Sequence, residues 1–297
     1  MTSVVTTTRL DRPKFGTVGD ALERGTARLR DAGVDGPRRD ARLLLSLALK
    51  ASHPALLDSA EPLTATQANF FDSVLVRREA REPMARIKGN REFWGLEFML
   101  SAHTLDPRPD SETLIEAAVD AFNGPRSPRR ILDLGTGSGC LLCAALHEFP
   151  DAIGIGVDRQ MGAIKSAEEN AGLLGLGSRA SFVVGDWGDA LALGTFDLIL
   201  ANPPYIADED IAHLAPEVSQ YDPRAALSGG PDGLGAYRTL MPQAGRLLAK
   251  GGLLMVEAGV GQGDEIAALM VAADLQVTET HRDLAGIERC IVATPSG

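Results

Sequence analysis

At 297 residues, with 44% hydrophobic and 23% charged residues, the chain is long enough for one sizeable core plus a smaller companion, and no apolar run approaches the roughly 18 residues of a membrane helix, which sets aside an integral helical membrane protein. The net charge of -11 is unevenly spread: residues 1–90 hold 15 lysines and arginines against 11 acids, leaving 14 against 29 for residues 91–297, so the larger part is ill suited to a phosphate backbone. Cys140, Cys143 and Cys290 are too few for a disulfide framework and the opening MTSVVTTTRLDRPKFG is not a secretory signal, so a cytoplasmic protein with reduced thiols is expected.

Residues 1–90 read as a small helical domain. Thr17 to Asp20 starts a helix ahead of ALERGTARLRDAG, Pro37 opens a second, and Thr64 with Gln67 forms a capping box before a third. Residues 91–109, REFWGLEFMLSAHTLDPRP, change character: aromatic residues around Gly95 predict a short hairpin, and the prolines an extended connector. From residue 110 to 297 strands and helices alternate: RILDL, a helix from about Ser138, AIGIGV, GAIKSAEENAGLL, ASFVVGD and FDLILAN. After a loop follow the helix GLGAYRTLMPQAGRLLAK, the strand GGLLMVEAG, the helix DEIAALMVAA, and the strands QVTET and ERCIVAT. This order predicts an α/β fold, a doubly wound, mostly parallel Rossmann-like sheet with an antiparallel pair at one edge.

In such sheets ligands sit beyond the carboxyl ends of the strands. The first strand ends in DLGTGSG, where Gly135, Gly137 and Gly139, interleaved with Thr136 and Ser138, let the backbone approach a ligand and Asp133 supplies a carboxylate. The G-x-G-x-G spacing departs from the dinucleotide fingerprint, since Cys140 stands where that pattern continues, so a pyrophosphate cofactor is disfavoured. The second strand ends in Asp158, an acceptor for two ribose hydroxyls; the third in GDWGD, where Asp186 can accept from an exocyclic amine and Trp187 can lie on a purine. Taken singly, a helix cap is the lesser alternative for Asp158 and a core ring for Trp187; their succession points to adenosine. The fourth strand stops at Asn202-Pro203-Pro204-Tyr205, where the prolines end the sheet.

DLGTGSG, Asp158, Asp186-Trp187 and NPPY together resemble class I S-adenosylmethionine-dependent methyltransferases, and NPPY resembles those acting on a planar amide or amine nitrogen. REFWGLEF, PRPDSE, NPPYI, EVSQYDPRAALSGGPDGLGAYR and DLAGIER resemble, in that order, the HemK/PrmC glutamine methyltransferases of peptide chain release factors. ARIKG, LDPRP and VEAG stand where that family usually has YITG, LIPRP and LEIG.

The resemblance implies S-adenosylmethionine as cofactor, held by Asp133, Gly135, Thr136, Gly137, Ser138, Gly139, Asp158, Asp186, Trp187 and Asn202. It implies transfer of a methyl group to the side-chain amide of the glutamine in a Gly-Gly-Gln tripeptide, bound by Asn202, Pro203, Pro204 and Tyr205, with the helical domain holding the release factor. An amide nitrogen is a poor nucleophile because its lone pair is delocalised. The Asn202 side-chain oxygen and the Pro203 carbonyl would accept its two N–H bonds, and the Tyr205 ring would pack on the flat amide. An adenine or cytosine amino methyltransferase of nucleic acid could use the same tetrapeptide, but the acidic main body disfavours it; neither direct nucleic-acid binding nor a membrane is expected. No metal is expected, the five histidines (His53, His103, His147, His213, His281) being scattered. Cys140 and Cys143 are expected as helix packing rather than a redox or zinc pair. Glu257 reads equally as a buried functional carboxylate or a helix cap.

Overall fold

The computed structural model describes residues 15–51, 59–124, 126–189 and 191–296; the N-terminal stretch read for a signal and His53 lie outside them. The chain divides into two compact units between Lys88 and Gly89.

The first unit carries α1 (Val18–Asp31), α2 (Pro37–Leu49), α3 (Ala65–Glu79) and the short α4 (Met84–Lys88). Local chemistry sets the starts: Thr17 with Asp20 and Thr64 with Gln67 each close a reciprocal capping box, and Pro37 occupies the first turn of α2. Leu29, Leu44, Leu45, Phe71 and Leu75 form the core. Beneath them Asp40 accepts from Arg78 at 2.9 Å, both side chains nearly buried, an ion pair that satisfies two charges inside the unit.

The second unit opens with an antiparallel hairpin, β1 (Asn90–Phe93) and β2 (Leu96–Met99), turning through Trp94 and Gly95, both at positive φ. The hairpin is more than a connector, because Phe93 and Phe98 enter this unit's core. Then follow α5 (Glu112–Ala121), β3 (Arg130–Leu134), α6 (Cys140–Glu148), β4 (Ile153–Asp158), α7 (Met161–Leu173), β5 (Ala180–Val184) and β6 (Phe196–Ala201). Two one-turn helices, α8 (Pro216–Ser219) and α9 (Arg224–Leu227), precede α10 (Gly235–Leu247), β7 (Leu248–Glu257), α11 (Gly263–Ala272), β8 (Leu275–Arg282) and β9 (Glu288–Pro295).

The strands form one sheet in the order β5-β4-β3-β6-β7-β9-β8, parallel except for β9, which runs antiparallel to both neighbours. On β6 alternate side chains serve two cores: Leu198 and Leu200 face the layer containing α5 and α6, while Ile199 and Ala201 face the layer containing α10 and α11. The winding reverses between β3 and β6, so the segments leaving their paired carboxyl ends part toward opposite helical layers and open a crevice, the expected place for a ligand.

Candidate active site at the carboxyl ends of the strands

Beyond β3 the chain passes through Gly135, Gly137 and Gly139, all at positive φ, a path side-chain-bearing residues seldom take. The loop is tied to β4: Gly135 and Thr136 donate their N–H groups to the Val157 carbonyl, and Gly137 donates to Asp158 Oδ2 at 3.0 Å. Asp158 Oδ1 accepts from the Gln160 N–H at 2.8 Å. Each Asp158 oxygen thus holds one backbone donor and keeps lone-pair capacity toward the crevice.

Asp133 is placed differently from a contact residue. It is fully buried, it does not line the crevice, and its Oδ2 accepts from the Thr136 hydroxyl at 2.6 Å. Burial pushes its carboxyl up to about 7 against the opposing pull of that hydrogen bond. It braces the glycine loop from behind. Gly139 is likewise set back, its α-carbon side against Ala167.

Gly135, Thr136, Gly137, Ser138, Asp158, Asp186, Trp187, Asn202 and Pro204 do come together around one cavity of about 700 Å³. Trp187 adopts a left-handed backbone (φ 51°), uncommon for an aromatic residue and of a kind that concentrates at functional sites; its ring leans toward Gly135. Cys140 lines the same cavity and Cys143 is buried behind it, with burial pushing the Cys140 thiol up to about 12. These are inert packing thiols.

Past β6 the NPPY turn is held on three sides. Asn202 Nδ2 donates to Ser111 Oγ at 2.9 Å, Tyr205 OH donates to Glu257 Oε1 at 3.3 Å, and Gln262 Nε2 donates to the Tyr205 carbonyl at 3.0 Å. Glu257 is 1% exposed and caps no helix, since Gln262 occupies the N-cap position of α11. Burial pushes its carboxyl up to about 7, opposed by Ser111, Arg289 and Tyr205. Arg289 is itself clamped between Asp283 and Asp110, each 3.0 Å away, which accounts for the acid and base ends of DLAGIER.

The SGGPDGL segment folds over the turn: Ile206 bonds to the Leu227 carbonyl and Gly229 back to the Ile206 carbonyl. A β-carbon at Gly233 would collide with the Tyr205 carbonyl oxygen, so glycine is the residue that lets the two segments cross. A second cavity of about 240 Å³ opens here, lined by Tyr205, Ile206, Val218 and Leu227 together with Arg108 and Asp110. Asn202 lines both cavities. Pro203 is buried and lines neither, which leaves its main-chain carbonyl as the group it can offer.

Sequence reasoning missed Ser111, Gln262 and Arg108. Arg108 pairs with Asp222 and faces Asp106, the acid that replaces an apolar residue in LDPRP and that also faces Arg91 at 3.6 Å. The signal for Ser111 was its place in PRPDSE; nothing local marked Gln262.

Comparison with known proteins gives two family matches, to the PrmC N-terminal domain over residues 20–89 and to a methyltransferase domain over residues 126–288. The chain is 50% identical over 277 residues to the release factor glutamine methyltransferase of Rhodospirillum rubrum, covering 93% of this chain and 84% of that one. To the protein of the same name from Bradyrhizobium diazoefficiens it is 46% identical over 292 residues, covering 97% and 98%. Among solved structures, the hMettl16 catalytic domain in complex with MAT2A 3′UTR hairpin 1 superposes with a TM-score of 0.55 at 15% identity, covering 89% of this chain and 93% of that one, a likeness of fold.

Proposed function

The chain belongs to the release factor glutamine methyltransferase family, and from that premise we infer that it methylates the side-chain amide nitrogen of the glutamine in a Gly-Gly-Gln tripeptide of a release factor. It is an S-adenosylmethionine-dependent protein-glutamine N-methyltransferase. The observation that carries the reading of the site is the position of Asn202 on the boundary of two cavities, with its nitrogen already engaged by Ser111 and its oxygen left as an acceptor.

The larger cavity fits S-adenosylmethionine by size and by donor set. Its volume lies within the range of small-molecule sites. Asp158 retains acceptor capacity for a ribose diol, Asp186 can accept from an adenine amine, Trp187 offers an aromatic face, and the loop from Gly135 to Ser138 leaves room for the chain. When bound, the cofactor supplies an electrophilic methyl group on a sulfonium, so the protein's task is positioning.

The smaller cavity suits the glutamine side chain: Ile206, Val218 and Leu227 cover its methylenes, and the Tyr205 ring packs on its amide. The Asn202 oxygen and the Pro203 carbonyl accept the two amide hydrogens. Both acceptors strengthen as positive charge develops on the nitrogen, which favours the transition state over the bound substrate. The N-methylated amide then loses a proton whose acidity has risen, and no strong base is required. The tyrosine stays protonated, since burial raises its phenol. The partner is a cytoplasmic release factor, and the helical unit is the element that holds it. Methylation of nucleic acid is not favoured, because the relatives are named for a protein glutamine.

Trp187→Ala is expected to weaken S-adenosylmethionine binding by about 0.5–1.5 kcal/mol beyond the lost contact area, read by calorimetry; an equal loss for analogues without adenine would assign the ring to packing. For the acceptor, a purified release factor whose Gly-Gly-Gln glutamine is replaced by glutamate should take up no labelled methyl group. Labelling equal to the native release factor would contradict the reading.

A further inference from the structure

Asn170, in the third turn of α7, is fully buried, and its side chain reaches main-chain groups 71 and 32 residues away. Its Oδ1 accepts from the Met99 N–H at 2.8 Å, while Nδ2 donates to the Met99 carbonyl at 3.2 Å and to the Ser138 carbonyl at 2.9 Å. All three partners are backbone groups of fixed polarity, so they settle which end of the amide points where. Toward Met99 the side chain acts as a neighbouring strand residue would, exchanging an N–H and a C=O with the end of β2. Its remaining N–H holds the glycine loop at Ser138.

The same face of α7 carries two further contacts. Gly162, Ser166 and Asn170 are spaced four apart and so stand one above another on the helix; they meet His103, Ser101 and Met99, spaced two apart and in the reverse order. The match is one of pitch, since four helical residues rise about 6 Å and two extended residues about 6.6 Å. The Ser166 and Ser101 hydroxyls lie 2.8 Å apart. At Gly162 a β-carbon would collide with the His103 ring and lie 2.9 Å from the His103 β-carbon, so the segment itself would have to shift, and not the ring alone. The stretch fastened in this way, residues 102–105, lines the larger cavity together with Ser138 of the glycine loop. Gly162, Ser166 and Asn170 do not line it, so their influence passes through the segments they hold.

We propose that Asn170 is a positioning residue for cofactor binding: with Ser166 and Gly162 it docks residues 99–103 on α7, and it thereby fixes residues 102–105 relative to the glycine loop at the S-adenosylmethionine site. This rests on the reading of the larger cavity as the cofactor site. It adds to that reading what holds two parts of the cavity lining, far apart in the chain, in one arrangement.

The test measures S-adenosylmethionine affinity by calorimetry, and kcat and KM for release-factor methylation, on the full chain. Asn170→Ala should weaken cofactor binding about 10–100-fold and raise the cofactor KM alike, with kcat at saturating cofactor within about 3-fold of wild type. Gly162→Ala separates positioning from general stability. Alanine favours a helix over glycine, so the melting temperature of the cofactor-free protein should not fall. Displacement of His103 should nonetheless weaken cofactor binding by about 3–10-fold. Asp158→Ala, measured beside these variants, reports on the cavity itself. Wild-type affinity for Gly162→Ala with Asp158→Ala weakened would overturn the proposal and leave the cofactor site intact. So would a lowered melting temperature for Gly162→Ala, or an Asn170→Ala enzyme whose kcat falls as far as its cofactor affinity, the pattern of a general loss of structure. Should Asn170→Ala yield no folded protein, Gly162→Ala decides alone. Wild-type affinity for Asp158→Ala would remove the cavity reading and this proposal with it.

Discussion

Replacing Asn202 with alanine is expected to lower kcat by about 10²–10³, the size of effect seen when one preorganised polar contact is deleted from an active site. The expectation follows from when the contact matters. In bound substrate the amide lone pair is delocalised and the N–H groups are ordinary donors. As the nitrogen bonds to the methyl, positive charge gathers there and the acceptor's pull grows, so its loss falls on the transition state. Affinity for S-adenosylmethionine should change much less, since Asp158 and the glycine loop remain. Asn202→Asp keeps an oxygen in place but sets a negative charge near the sulfonium. It should be more active than the alanine variant if the position of the oxygen dominates, and less active if charge pairing traps the ground state. A near wild-type single-turnover rate for Asn202→Ala would contradict the role given to the turn.

Asp158→Ala is expected to weaken S-adenosylmethionine binding by about 1.5–3 kcal/mol, roughly 10- to 150-fold, the range for hydrogen bonds to a charged group. The structure adds a second reason for a large effect. Asp158 Oδ2 also holds the Gly137 N–H, and Oδ1 the Gln160 N–H, so its removal unties the loop from the start of α7 as well as withdrawing the ribose acceptor. Calorimetry of the variant reads the loss directly. Undiminished affinity would take Asp158 out of the pocket.

What the sequence made legible is what local chemistry decides. The capping boxes at Thr17 and Thr64 and the proline at the start of α2 place the helices of the first unit without reference to anything distant. The alternating strands and helices give the sheet, and the position of DLGTGSG, Asp158, Asp186-Trp187 and NPPY at successive strand ends gives the crevice. The rest depended on contacts far apart in the chain. The helix read through Lys250 ends at Leu247, because Leu248 pairs with Phe196 of β6 and begins β7. The stretch read as a loop after Tyr205 holds α8 and α9, too short to show a period and fastened by Ile206 to Leu227 and by Arg224 to Asp208. Asp133 lies level with Gly156, two residues short of the level at which Asp158 ends β4, so it is buried behind the loop while Asp158 lines the cavity; the register between strands, which the sequence does not show, separates them. Glu257 was undecided because the side chain it bonds, Tyr205, lies 52 residues away.

Transfer to a glutamine amide can be read by incubating the full chain with labelled S-adenosylmethionine, purified release factor and nucleic acid in one mixture and mapping the modified residue by mass spectrometry. One methyl group is expected on the side-chain nitrogen of the Gly-Gly-Gln glutamine and none on the nucleic acid. Label on a nucleobase with the release factor unmodified would contradict it.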